Sequence, residues 1–151
     1  MYIVVMVGPT SVRFDEPVAR RLTSYVARHP GATRSSVAAR YVDEGLRMDE
    51  HPGLLFRDGP AGRRATLAGG PDVWEIVRAT RAARAAEPTL TTAEVLAMLE
   101  DNTGVPAHLL NVALDYWACY PHEVDAFLTY AAQTETKQAA AAERTKTLLQ
   151  G

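Results

Sequence analysis

Ser11 and Arg13 alternate with Val12 and Phe14. In an extended segment that order sets two hydrogen-bonding side chains on one side and two apolar ones on the other. A guanidinium fork beside a hydroxyl is suited to the edge of a base pair, where guanine offers two acceptors to one arginine. Further along, Thr33, Arg34, Ser35 and Ser36 bring three small hydroxyls and a guanidinium together at what reads as the start of a helix. Free backbone amides at such a start take a phosphate oxygen well. Ser and Thr are also ordinary helix caps. Their place after a strand and a helix of suitable length favours the phosphate. Arg57, Arg63 and Arg64 gather around a turn-rich stretch. They would either touch a nucleic-acid backbone as wing contacts or keep a sheet edge soluble.

Residues for other chemistries do not come together. His29, His51, His108 and His122 are scattered, with no second His or Cys at metal-ligand spacing. Cys119 lies in an apolar helical stretch and reads as a small hydrophobe rather than a nucleophile. Glu123 and Asp125 read as a solvated helix face. There is no phosphate-binding glycine loop and no nucleophile elbow. The expectation is a protein without catalytic activity, metal or cofactor.

The elements that must position these residues follow from pattern. Four residues of strand over 11–14 cannot stand alone, because the ladder of backbone donors and acceptors has no partner. A copy from a second chain completes it, giving a two-stranded antiparallel ribbon of a width that fits the major groove. A first helix is expected over 15–28, with Asp15 as N-cap, Pro17 in the first turn, and Val18, Leu22, Tyr25 and Val26 on one face. Pro30 and Gly31 end it. A second helix is expected over 33–47, with Val37, Ala38, Tyr41, Val42 and Leu46 inward. The polar run 49–53 reads as a boundary. Two strands, 54–57 and 63–67, then flank a five-residue loop.

Beyond the hairpin, Asp72 with Glu75 and Thr91 with Glu94 have capping-box spacing and start two helices. The first of these is expected to run to about Ala86. A further helix begins at Pro106, and a last helical piece follows Pro121. Trp74 and Trp117 read as core residues. From Gln133 onward the chain is helix-prone but has little to bury, so it is expected to fray or to order on a partner. Hairpin followed by helix, short break and helix suggests a small winged-helix-like module.

Hydrophobic residues make up 47% and charged residues 23% of the chain, ordinary for a soluble globular protein. With one cysteine there is no intrachain disulfide to imply an oxidising compartment. The apolar run 1–7 is far shorter than the roughly 20 residues that span a bilayer and lacks signal-peptide features. It reads as an extra strand or an unstructured lead-in, in a cytoplasmic protein. The net charge of −2 conceals an asymmetry. Residues 10–48 hold seven arginines against four acids, whereas residues 89–151 hold three bases against eight acids. A basic front suggests a polyanion, and an acidic back suggests a different partner.

Two resemblances attach to these residues. Thr-Ser-Val-Arg-Phe-Asp-Glu-Pro-Val (10–18), Gly-Ala-Thr-Arg-Ser-Ser-Val-Ala (31–38) and Glu-Gly-Leu-Arg (44–47) resemble the ribbon-helix-helix family of the Arc and CopG repressors. The likeness covers about the first third of the chain. It implies an obligate dimer with Ser11 and Arg13 on base edges, Val12 and Phe14 in the core, and Thr33, Arg34, Ser35 and Ser36 on phosphates. The third outward position is Pro9, which has no N–H to donate. The second resemblance rests on His-Pro-Gly-Leu-Leu-Phe-Arg-Asp-Gly-Pro-Ala-Gly-Arg-Arg-Ala (51–65), Gly-Gly-Pro-Asp-Val-Trp-Glu-Ile-Val (69–77) and Asp-Tyr-Trp-Ala-Cys-Tyr-Pro-His-Glu-Val-Asp (115–125). These segments look like the domain-of-unknown-function family numbered 433, whose small winged-helix-like members are often encoded beside PIN-like ribonucleases as antitoxins. Where typical members carry Gly-Thr-Arg, this chain has Gly69-Gly70-Pro71, so no role of that Thr-Arg pair transfers.

The expected architecture is mainly α: a ribbon-helix-helix domain at 1–50 forming an intertwined dimer, a hairpin plus helical, winged-helix-like domain at 51–130, and a helical or disordered tail at 131–151. The expected function is that of a DNA-binding antitoxin and autorepressor of a toxin–antitoxin operon. It would bind operator DNA as a homodimer, build higher oligomers on adjacent half-sites, and neutralise a PIN-like ribonuclease toxin away from any membrane. The alternatives are a stand-alone ribbon-helix-helix repressor and an interaction module that never meets DNA. Co-expression with the neighbouring gene's product separates the first two, and the salt dependence of binding isolates the third.

Overall fold

An aspartate that caps a helix and a proline in its first turn fix where the first regular element begins. In the computed structural model, which describes residues 8–151, α1 spans Glu16–Arg28. The Asp15 carboxylate accepts from the Val18 amide at 3.1 Å, and Glu16 pairs with Arg20 one turn on. The chain turns through Pro30 and Gly31, the latter at φ 88, and re-enters helix as α2, Arg34–Glu50. The apolar lead-in at 1–7 lies outside the described residues. Residues 8–15 carry no regular secondary structure in the single chain, so 11–14 is extended into no strand of its own.

The chain divides between Gly45 and Leu46 into two compact units, whereas the sequence suggested a break after residue 50. The polar residues Asp49 and Glu50 do not end α2. Helix continues through them, and the turn is confined to 51–53, where the Leu54 amide donates to the His51 carbonyl at 3.0 Å. Gly53 has φ 101, and a Cβ there would lie 2.7 Å from Leu109 Cδ2. Glycine is therefore needed for its backbone angle, and a side chain there would in addition have to push the Leu109 methyl aside.

In the second unit, β1 (Leu54–Arg57) pairs antiparallel with β2 (Arg64–Leu67), in a register that sets Leu54 opposite Leu67 and Arg57 opposite Arg64. The loop is one residue longer than expected, because Arg63 falls outside β2. Gly59 and Gly62 close it with reciprocal backbone bonds of 2.9 and 3.0 Å. Four helices follow: α3 (Val73–Ala86), α4 (Thr92–Thr103), α5 (Ala107–Cys119) and α6 (Pro121–Gln150). Both capping boxes are present, with the Asp72 amide donating to Glu75 Oε2 at 2.9 Å and the Thr91 amide to Glu94 Oε2 at 2.7 Å. Gly104, in the left-handed region at φ 70, stops α4.

The core gathers on α5, which packs against α3, α4, α6 and β2. Leu110, Ala113 and Tyr116 are fully buried there, with Leu54, Leu67, Ile76 and Leu99 closing around them. Trp74 and Trp117 pack against this cluster half-buried. The described chain is thus mainly helical with one small antiparallel sheet. One expectation is corrected: Cys119 is exposed, because at the end of α5 it shares the outward face with Asn111, Asp115 and Ala118. Of the two forms expected for the tail, helical or disordered, the helical one is present: the stretch beyond Gln133 continues α6 without a break, since extending an existing helix avoids the cost of a new nucleus.

Candidate nucleic-acid interface

The start of α2 is built by a reciprocal contact. Thr33 Oγ1 accepts from the Ser36 amide at 3.1 Å, and Ser36 Oγ accepts from the Thr33 amide at 3.1 Å. Both hydroxyls are thereby committed to the helix end. Between them, the amides of Arg34 and Ser35 have no acceptor among the described residues. Those two donors, the exposed Ser35 hydroxyl and the exposed Arg34 guanidinium make the part of this end open to an anion.

Ser11 and Arg13 are exposed. Phe14 reaches the helices, where it shares a hollow with Arg34 and Ser35. The last residue of the 11–14 stretch therefore lies beside the open start of α2. On its other side Phe14 borders a larger apolar hollow of about 330 Å³ with Val18, Leu22, Val37, Tyr41 and Val42. α1 buries none of its residues, and the first unit leaves Val12 66% and Val42 56% exposed. An amphipathic helix pair that keeps its apolar stripe in water has more apolar surface to cover than one chain covers.

The hairpin arginines turn inward to their own chain. Arg57 Nη2 donates to Thr66 Oγ1 at 2.9 Å, Arg63 lies 3.5 Å from Asp58, and Arg64 is bound to the Asp72 carboxylate and to the Asp58 carbonyl, the latter at 2.7 Å. Asp72 thus caps α3 and ties down the hairpin together, a pairing across the loop that local spacing did not reveal.

Glu123 and Asp125, read from sequence as a solvated face, are both engaged. Arg47 Nη1 donates to Tyr116 Oη at 2.8 Å and to Glu123 Oε1 at 3.0 Å, while the Tyr116 hydroxyl donates to Glu123 Oε2. Asp125 accepts from Arg81 at 3.0 Å and from Trp117 Nε1 at 3.1 Å. The Tyr116 phenol is pushed well above its ordinary value, by burial first and then by its bond to Glu123. The fold therefore favours the neutral phenol. This contribution is whole below about pH 10, the unfolded value, and is lost as pH climbs toward the folded one. Circular dichroism followed from pH 9 to 12 should show the protein losing structure at a lower pH than Tyr116→Phe. Coincident alkaline transitions would mean that the phenol is not held in this way.

Among the described residues no group of three or more His, Cys, Asp or Glu is placed to hold a metal ion. No described helix is long and apolar enough to cross a membrane. The chain matches no family model, no curated protein and no solved structure.

Proposed function

We propose that the chain is a dimeric DNA-binding repressor of the ribbon-helix-helix kind whose second unit acts as an antitoxin toward a basic ribonuclease. The observation that carries this is the uncovered apolar face of the first unit, whose border at Phe14 adjoins the open start of α2. A second copy laid on that face would bury the exposed valines and give residues 11–14 the strand partner they lack. It would also place two Arg13 and two Ser11 outward on one ribbon, flanked by two anion-accepting helix starts. The antitoxin half rests on charge. Residues 89–132 contain six acids and no lysine or arginine, and Glu100, Asp101 and Asp115 have no cationic partner among the described residues. A surface of that sign suits a basic partner.

The reading is tested on Arg13→Ala by gel shift against the protein's own promoter DNA. One arginine–guanine fork discriminates by roughly 1–3 kcal/mol. With two in the dimer, sequence preference should fall at least about tenfold while residual, salt-sensitive binding through phosphates remains. Unchanged preference in Arg13→Ala, or affinity indifferent to salt, would remove the ribbon from the argument and favour an interaction module.

A further inference from the structure

The second unit carries a notch of about 280 Å³ between the hairpin loop, the first turn of α3 and α6. Trp74, Phe127 and Tyr130 supply its ring surfaces, and Arg64 and Thr134 supply polar groups. Arg64 is fixed in place. Its Nε is bound to Asp72, its Nη1 donates to the Asp58 carbonyl, and a Cβ on Gly59 would lie 1.8 Å from Nη1, so the loop backbone is pressed against the guanidinium. Its Nη2 has no acceptor among the described residues.

Thr134 stands apart from its neighbours on α6. Thr129, Thr136, Thr145 and Thr147 each donate to the carbonyl four residues back, at 2.9–3.1 Å. Thr134 makes no such bond, and its hydroxyl, like that of Tyr130, is without a partner among the described residues. Three residues that each keep an unspent polar group therefore line one notch, and Trp74, Phe127 and Tyr130 bring aromatic rings to it. Arg64 Nη2 can only donate, and the two hydroxyls can add a proton each, so the polar end calls for a group rich in acceptors. A carboxylate meets that need and matches an arginine fork in plane and spacing. Asp72 and Glu135, the latter paired with Arg78 at 2.8 Å, stand close by and limit the guest to a single negative charge. The ring surfaces ask for a flat apolar body. The volume is at the low end for a small-molecule site, suited to one or two fused rings.

We propose that this notch binds a small aryl carboxylate. The site stands on the geometry of the second unit and does not depend on DNA binding by the first.

Benzoate and indole-3-acetate, titrated into the full-length protein with calorimetry and tryptophan emission, test it. Ligands of about nine to thirteen heavy atoms at roughly 0.3 kcal/mol per atom bind with Kd on the order of 1–10 mM. Saturable binding is expected, with benzamide at least about tenfold weaker because it cannot offer a charged acceptor to Arg64. Tyr130→Phe and Thr134→Val remove hydroxyls that hold nothing in the chain, so the fold should persist while affinity drops about threefold to tenfold for each. Trp74→Phe should abolish the emission change and leave Trp117 silent. Three results would overturn the proposal: no saturation by either carboxylate, benzamide equal to benzoate, or affinity unmoved in the Tyr130→Phe/Thr134→Val double variant. An emission change that survives Trp74→Phe would place the ligand elsewhere and overturn it as well.

Discussion

On the proposed pairing of two copies, Val42→Glu should leave the protein monomeric and without affinity for DNA. In the single chain Val42 is 56% exposed, and substitution at such a position ordinarily shifts stability by no more than about 0.5 kcal/mol. A monomeric protein would hardly register the change and would gain solubility from it. The outcome differs if a second copy covers the hollow that Val42 lines with Phe14, Leu22 and Tyr41. A buried carboxylate without a counter-ion costs about 3–5 kcal/mol, and a two-fold interface receives two of them. With roughly 1.4 kcal/mol per factor of ten, the dissociation constant of the dimer should rise by at least about a thousandfold. Sedimentation equilibrium measures this directly. Wild-type protein that is already monomeric at micromolar concentration, or a variant indistinguishable from it, would end the case for the ribbon, since a four-residue strand has no other source of support.

The largest loss of stability should come from Leu110→Ala. Leu110 is 0% exposed and sits on α5, the helix against which α3, α4, α6 and β2 all pack. Removing its three outer carbons forfeits transfer energy and leaves a cavity that rigid neighbours on four sides fill poorly, about 2–5 kcal/mol in sum. Domains of this size are stable by roughly 5–15 kcal/mol, so a large part of the total is at stake. With an m-value of about 1–3 kcal/mol/M, the urea midpoint should fall by about 1 M or more. Leu148→Ala is the matched control. The same atoms are lost from a residue 82% exposed, and the midpoint should not move. Equal midpoints for the two variants would mean that the core is not centred on α5.

Local signals in the chain were readable because their physics is local. Asp15, the two capping boxes, Pro106 and Gly104 act within one turn of helix, and each marks an element that begins or ends where its residues suggested. What escaped was pairing at a distance. Glu123 meets Arg47 across 76 residues and Asp125 meets Arg81 across 44, and no periodicity connects such positions. Arg64 stands beside Arg63 in sequence, yet its partner Asp72 lies beyond the strand, and a residue that caps a helix gives no local sign of a second duty. Asp49 and Glu50 looked like a break because they are polar, but polarity does not stop a helix. The break is made at Pro52 and Gly53. For the candidate interface the sequence supplied the residue types and their order. Two details needed coordinates: that Thr33 and Ser36 spend their hydroxyls on each other, and that the open donors are the amides of Arg34 and Ser35. The 11–14 stretch is a different case. Its expected pairing is intermolecular, so one chain holds only half of the structure it would take.

The far part of α6 has a consequence for how unfolding of this protein must be followed. From Thr136 to Gln150, beyond the Glu135 pair with Arg78, the helix is exposed on every side, with Leu148 and Leu149 more than four-fifths in water, so continuity with its own preceding turns keeps it wound. Warming will unwind it gradually from the Gln150 side inward, at a temperature that owes nothing to the core. Both tryptophans sit against that core and respond to its collapse alone. Far-ultraviolet ellipticity therefore blends a slow fading with a sharp step, and a melting curve drawn from it alone would make a cooperative protein look loosely held.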